Sequence, residues 1–124
     1  MAISTVLVVE DDIDIQKIIR MSLEFQGARQ VDTVSDGEEC LAAVNRMKPD
    51  VILLDVSLPK MDGYDTCRRL KENPQTRSIP VIFLSARAQK SDEEIGLQAG
   101  GAGYLTKPFD PMTLFEEIRA ILEK

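Results

Sequence analysis

Residues 51–55 read Val-Ile-Leu-Leu-Asp, an unbroken apolar run closed by a carboxylate. The pattern also opens the chain, where Val6-Leu7-Val8-Val9 runs into Glu10, Asp11 and Asp12, and it returns at Val81-Ile82-Phe83-Leu84, followed by Ser85. Short, continuously apolar runs are what central parallel strands show when helices cover both faces of the sheet. A further run, Gln30 to Val34, alternates and suits an edge strand, and a last one, Tyr104 to Thr106, precedes Lys107.

Amphipathic stretches separate these runs. Ile15, Ile18, Ile19 and Leu23 recur at helical spacing, as do Cys40, Ala43, Val44 and Met47 behind a capping box of Asp36 and Glu39. Leu114, Ile118, Ile121 and Leu122 mark a final helix, with Asp110 as N-cap and Pro111 at its first position. Ser91 to Ala99 carries a capping box at Ser91 and Glu94, but its only large apolar residues are Ile95 and Leu97, and Gly96 weakens its interior. It is expected to be the least stable helix. Strand and helix alternate with no intervening linker, which predicts an α/β three-layer sandwich around a five-stranded parallel sheet with right-handed crossovers.

Composition narrows the function. At 124 residues and 13.8 kDa the chain has room for one core, and residues 1–124 are read as one domain. No apolar run approaches the roughly 20 residues that span a bilayer. Met1 to Val9 has no basic segment and fails as a signal peptide, so a cytoplasmic protein is expected. The absence of histidine excludes Ser-His-Asp and Cys-His nucleophile systems and every His-containing zinc site. Cys40 and Cys67 have no second cysteine at metal spacing and read as buried thiols. The net charge of −6, with no basic cluster beyond Arg68, Arg69 and Lys71, argues against direct nucleic-acid binding.

In parallel α/β sheets, ligands collect beyond the carboxyl ends of the strands. That edge gathers Glu10, Asp11 and Asp12 after the first strand, Asp55 at the end of the third, Ser85 after the fourth and Lys107 after the fifth. Clustered carboxylates repel one another unless a cation neutralises them, and an all-oxygen site without His or Cys favours a hard ion, Mg²⁺ first. A lysine facing those carboxylates is useful when a second anion also binds, and a phosphoryl group fits.

Taken together, VLVVEDD, VILLDVSLPKMDG, VIFLSA and GYLTKPF, in this order and spacing, resemble the CheY-like receiver domain of two-component response regulators over essentially the whole chain. The resemblance implies a flavodoxin-like fold with strand order 2-1-3-4-5. It implies Asp55 as phosphoacceptor, attacking a phosphoryl group carried by a sensor histidine kinase or histidine phosphotransfer protein. Mg²⁺ would be held by Asp11 directly, by Glu10 through water, by Asp55 and by the backbone carbonyl of Ser57. Lys107 would pair with the phosphoryl group, Ser85 would hydrogen-bond to it, and Lys107–Pro108 would be a cis peptide. Tyr104 matches the aromatic switch position: Ser85 moves toward the phosphoryl group, Tyr104 turns inward, and the surface of the fourth helix, last strand and last helix changes. Ser57 and Arg87 flank the path of hydrolytic water and would set the phosphoryl lifetime. Part of the first helix, with the loop at Pro108, would dock the kinase.

Downstream of the switch the resemblance implies a protein target or an output domain, with a phosphorylation-dependent homodimer also open. Catalysis would be limited to the domain's own phosphorylation and dephosphorylation. Asp12 reads as the start of the first helix and is left out of the metal set. Gly100, Gly101 and Gly103 precede a strand instead of following one, so they read as a helix cap and turn. Three rivals remain: a phosphorylation-independent interaction domain, a flavin-binding flavodoxin-like protein and a haloacid-dehalogenase-type phosphatase. The last is opposed by Gln16, which stands where that motif needs Thr or Val.

Overall fold

The first helix starts where an acidic side chain ends the first strand's loop. Asp12 Oδ1 accepts from the N–H groups of Asp14 (2.9 Å) and Ile15 (3.3 Å), satisfying donors that have no partner inside the helix. The computed structural model describes residues 3–86 and 89–124. Its elements run β1 (Thr5–Val9), α1 (Ile13–Phe25), β2 (Gln30–Val34), α2 (Gly37–Met47), β3 (Val51–Asp55), α3 (Gly63–Glu72), β4 (Val81–Ser85), α4 (Lys90–Gln98), β5 (Gly103–Thr106) and α5 (Leu114–Leu122). The strands form one parallel sheet in the order β2-β1-β3-β4-β5.

Alternate residues of each strand face opposite layers. Val6, Val8, Leu53, Ile82 and Leu84 pack with Ile19, Leu23, Leu114 and Ile118 of α1 and α5. Leu7, Val9, Ile52, Leu54 and Phe83 pack on the other face with Cys40, Val44, Cys67 and Leu70 of α2 and α3. β3 and β4 are buried along their whole length, whereas β2, at the edge, is mostly half-exposed. Both follow from the runs: a strand covered on two faces is apolar throughout, and an edge strand alternates. Each central strand therefore delivers its last residue to the same rim.

Three expected helix starts differ in detail. Asp36 caps α2 by accepting from Glu39 N–H (2.8 Å), but Glu39 Oε1 reaches back to Ser35 N–H (2.7 Å), closing the donor just past the end of β2 and not that of Asp36. At α4 the helix begins at Lys90, so Ser91 lies inside its first turn and cannot cap it. Gln89 is the N-cap, with no side-chain cap bond. Asp110 caps a turn in place of the helix. Its Oδ1 accepts from Met112 N–H (2.9 Å) and its carbonyl from Thr113 N–H (3.1 Å), while regular α5 starts at Leu114. Ser85 is the last residue of β4 and not the first residue after it.

Candidate phosphoryl-transfer site

At the carboxyl rim, β1 and β3 lie side by side with Val9 opposite Leu54, which sets Glu10 and Asp55 next to each other. Leu84 stands opposite Asp55 and Thr106 opposite Ser85, so Ser85 and Lys107 arrive from the other side. Carboxylate oxygens of Glu10, Asp11 and Asp55 all lie within 4.8 Å of one another. Glu10 and Asp55 are buried, Asp11 exposed. Lys107 Nζ closes the group, 2.5 Å from Glu10 Oε1 and 3.1 Å from Asp55 Oδ2. Two backbone donors complete the frame: Asp12 N–H to Glu10 Oε2 (3.1 Å) and Ser57 N–H to Asp55 Oδ1 (3.1 Å).

The electrostatics follow from this crowding. Burial pushes the Glu10 carboxyl up to about 7, against the pull of the Lys107 hydrogen bond and the Asp12 N–H, and the Asp55 charge adds to the rise. Burial alone would lower Lys107, but its hydrogen bonds to Glu10 and Asp55 outweigh that and hold the ammonium above its ordinary value. One lysine thus serves two buried carboxylates while Asp11 faces solvent. A hard divalent cation suits this donor set of carboxylate oxygens alone.

Close backbone packing fixes the aspartate. Gly63, the first residue of α3, donates its N–H to Val56 carbonyl (2.9 Å), and a Cβ there would lie 2.3 Å from the Asp55 carbonyl oxygen. Ser85 is buried, and its carbonyl accepts from Lys107 N–H (2.8 Å). The Lys107–Pro108 peptide is cis, as the resemblance implied. Asp12 caps α1 and stays out of the carboxylate group. Arg87 lies outside the described residues.

Two residues have roles here that were not read from the sequence. Gln16 is buried, and its amide nitrogen donates to the Glu10 carbonyl (2.5 Å), with the Val34 carbonyl and Ser35 hydroxyl each at 3.3 Å. It ties α1 to the acidic loop, and the only signal was a polar residue beside the apolar stripe. Tyr64, after the Asp-Gly pair, meets Tyr104 hydroxyl to hydroxyl at 2.6 Å.

A doubly wound parallel sheet that gathers a buried aspartate, an acidic pair and a lysine at the carboxyl ends of its strands defines the class: an α/β protein with its candidate site at the strand rim. The chain matches the Response regulator receiver domain family over residues 6–119 and belongs to it. It is 40% identical over 119 residues to the alkaline phosphatase synthesis transcriptional regulatory protein PhoP of Bacillus subtilis, covering 96% of this chain and 48% of that protein. It is 45% identical over 92 residues to response regulator PleD of Caulobacter vibrioides, covering 74% of this chain and 20% of that one. Among solved structures, chemotaxis response regulator CheY4 of Vibrio cholerae superimposes with a TM-score of 0.90 at 30% identity, over 97% of this chain and 99% of that one. The chain thus spans about half the length of PhoP, and it is a receiver domain of the two-component signalling type. Neither the dehalogenase-type nor the flavin-binding reading survives that membership.

Proposed function

We propose that this receiver domain is a Mg²⁺-dependent phosphoaspartate switch in which Asp55 accepts the phosphoryl group of a histidine kinase or histidine phosphotransfer protein. The observation that carries the reading is the Glu10, Asp11 and Asp55 carboxylate group, within 4.8 Å, with the Lys107 ammonium 3.1 Å from Asp55. A carboxylate oxygen of Asp55 attacks phosphorus, the P–N bond of the phosphohistidine breaks, and its electron pair stays on the imidazole nitrogen. The product is an acyl phosphate. Water later attacks the same phosphorus, releasing inorganic phosphate and restoring the carboxylate.

Lys107 follows the charge as it moves from Asp55 to the phosphoryl oxygens, and the Ser85 hydroxyl donates to one of them. Glu10, Asp11, Asp55 and the Ser57 carbonyl would hold Mg²⁺, which supplies charge neutralisation between the carboxylates and the phosphoryl oxygens. Ser85 and Tyr104 form the switch, and the surface of α4, β5 and α5 carries the output.

An apolar face on α1 and the loop before α5 supports kinase docking, with Met21, Phe25 and Met112 exposed at 70%, 84% and 73%. The target is a separate protein or an output domain such as those of its longer relatives, with dimerisation as one form of output. We take residues 1–124 as one such domain. No helix of the described residues is long and apolar enough to cross a membrane, and two free buried thiols suit a reducing cytoplasm.

Intact mass after incubation with Mg²⁺ and acetyl phosphate tests the reading. One base-labile phosphoryl group is expected, absent from Asp55→Asn and from Mg²⁺-free samples. An unmodified folded protein would instead make this a phosphorylation-independent interaction domain.

A further inference from the structure

Tyr64 and Tyr104 are the only tyrosines of a chain that has no tryptophan. Their hydroxyls lie 2.6 Å apart, and Tyr64 also donates to the Asp92 carbonyl in the first turn of α4 (3.3 Å). Tyr104 therefore donates to Tyr64, giving a chain from β5 through α3 to α4. Phe83 of β4 lies beneath it, with ring centroids 5.1 Å from Tyr64 and 5.8 Å from Tyr104. Gly96 makes room above, since a Cβ there would stand 3.1 Å from Phe83 and 3.2 Å from Tyr104. Among the described residues β5 borders only β4 in the sheet, so a Tyr104 hydroxyl that reaches α3 has its side chain turned inward across β4. The helix it reaches under is weakly held, with no side-chain cap and Gly96 as its one buried residue.

We propose that Tyr64 is a positioning residue of the switch: its hydroxyl latches Tyr104 inward and pins the first turn of α4, so that the inward arrangement is populated before any phosphoryl group arrives. This rests on the phosphoaspartate reading and adds what sets its resting balance. Coupling is reciprocal: if the phosphoryl group and the latch favour the same arrangement, removing the latch weakens phosphoryl binding by the energy they share. Tyr64→Phe removes one oxygen and keeps the ring on Phe83, so the change falls on the latch and not on the core.

The test is a titration of the full chain with beryllium fluoride, a phosphoryl mimic, in Mg²⁺, for the wild type, Tyr64→Phe, Tyr104→Phe and the double variant, with tyrosine emission recorded throughout. With no tryptophan present, that emission reports on this pair alone. Tyr64→Phe should bind the mimic roughly two- to tenfold more weakly, the range one hydrogen bond sets, and the double variant should be no weaker than Tyr104→Phe. Emission of Tyr64→Phe should change more on binding than that of the wild type, because its Tyr104 then has to move inward. Equal affinities, or losses that simply add, would overturn the latch and leave the switch standing. A folded wild type that does not bind the mimic would overturn the phosphoaspartate reading and the latch with it.

Discussion

Asp50 holds the amino-terminal ends of two strands together. Its Oδ2 accepts from Ser4 N–H (2.9 Å), Ser4 hydroxyl (3.2 Å) and Thr5 N–H (3.0 Å), joining the start of β1 to the start of β3. The Ser4 N–H foremost, with Thr5 N–H, Ser4 hydroxyl and the Arg29 charge beside it, holds this carboxyl below its ordinary 3.8 against the opposing effect of burial. Asp50→Ala should cost about 1–3 kcal/mol in urea denaturation at neutral pH, as hydrogen bonds to a charged acceptor do. A depressed carboxyl stabilises above its unfolded value and loses that contribution as the pH falls through its folded value. The difference between wild type and Asp50→Ala should therefore shrink with acid below about pH 4. The cysteines behave oppositely to reactive thiols. Burial pushes Cys40 up to about 12 and Cys67 up to about 11. Neither should react with a thiol reagent at pH 8 in the native state, and both should react once the chain is unfolded in guanidinium. At this scale the sequence was most legible in position, as in the meeting of Asp55 with Lys107 at the strand rim and the burial of the two thiols. Tyr64 and Gln16 were opaque, because their roles come from partners 40 and 6–19 positions away in the chain.

Elements are held to different degrees, and packing explains the order. α3 starts directly against the Asp55 carbonyl because Gly63 has no side chain. Gly63→Ala should lower stability by about 1–3 kcal/mol, as overpacking does, and thermal melting measures it. α4 lies at the other extreme. Its amides should exchange with deuterium sooner than those of β3 and β4, which are buried from end to end; equal protection would contradict the expectation that it is the least stable helix. Its sparse burial was readable from Gly96 and the few apolar residues, but its start was not. Ser91 and Glu94 satisfy the capping pattern, yet a helix that begins at Lys90 leaves Ser91 inside the first turn. Capping patterns state which residues can cap, and packing against the sheet decides where the first turn sits. Asp110 shows the same limit, because it caps a turn that precedes α5.

For the molecule as a whole, three continuous apolar runs implied buried parallel strands, and β1, β3 and β4 occupy the middle of the sheet. Strand order did not follow from those runs. It came from resemblance, since periodicity says which faces are covered and not which strand neighbours which. The order matters because it brings residue 10 beside residue 55 and residue 107 beside both. That convergence gives one lysine two buried carboxylates to serve, a balance that a phosphoryl group on Asp55 would redistribute toward Lys107 and Ser85. The most direct test of this account is to phosphorylate the protein with acetyl phosphate and Mg²⁺, reduce the acyl phosphate with borohydride, and map the peptide that carries the new alcohol. Homoserine at position 55 and nowhere else is the predicted result. Reduction at Glu10 or Asp11, or a label that resists borohydride, would contradict it.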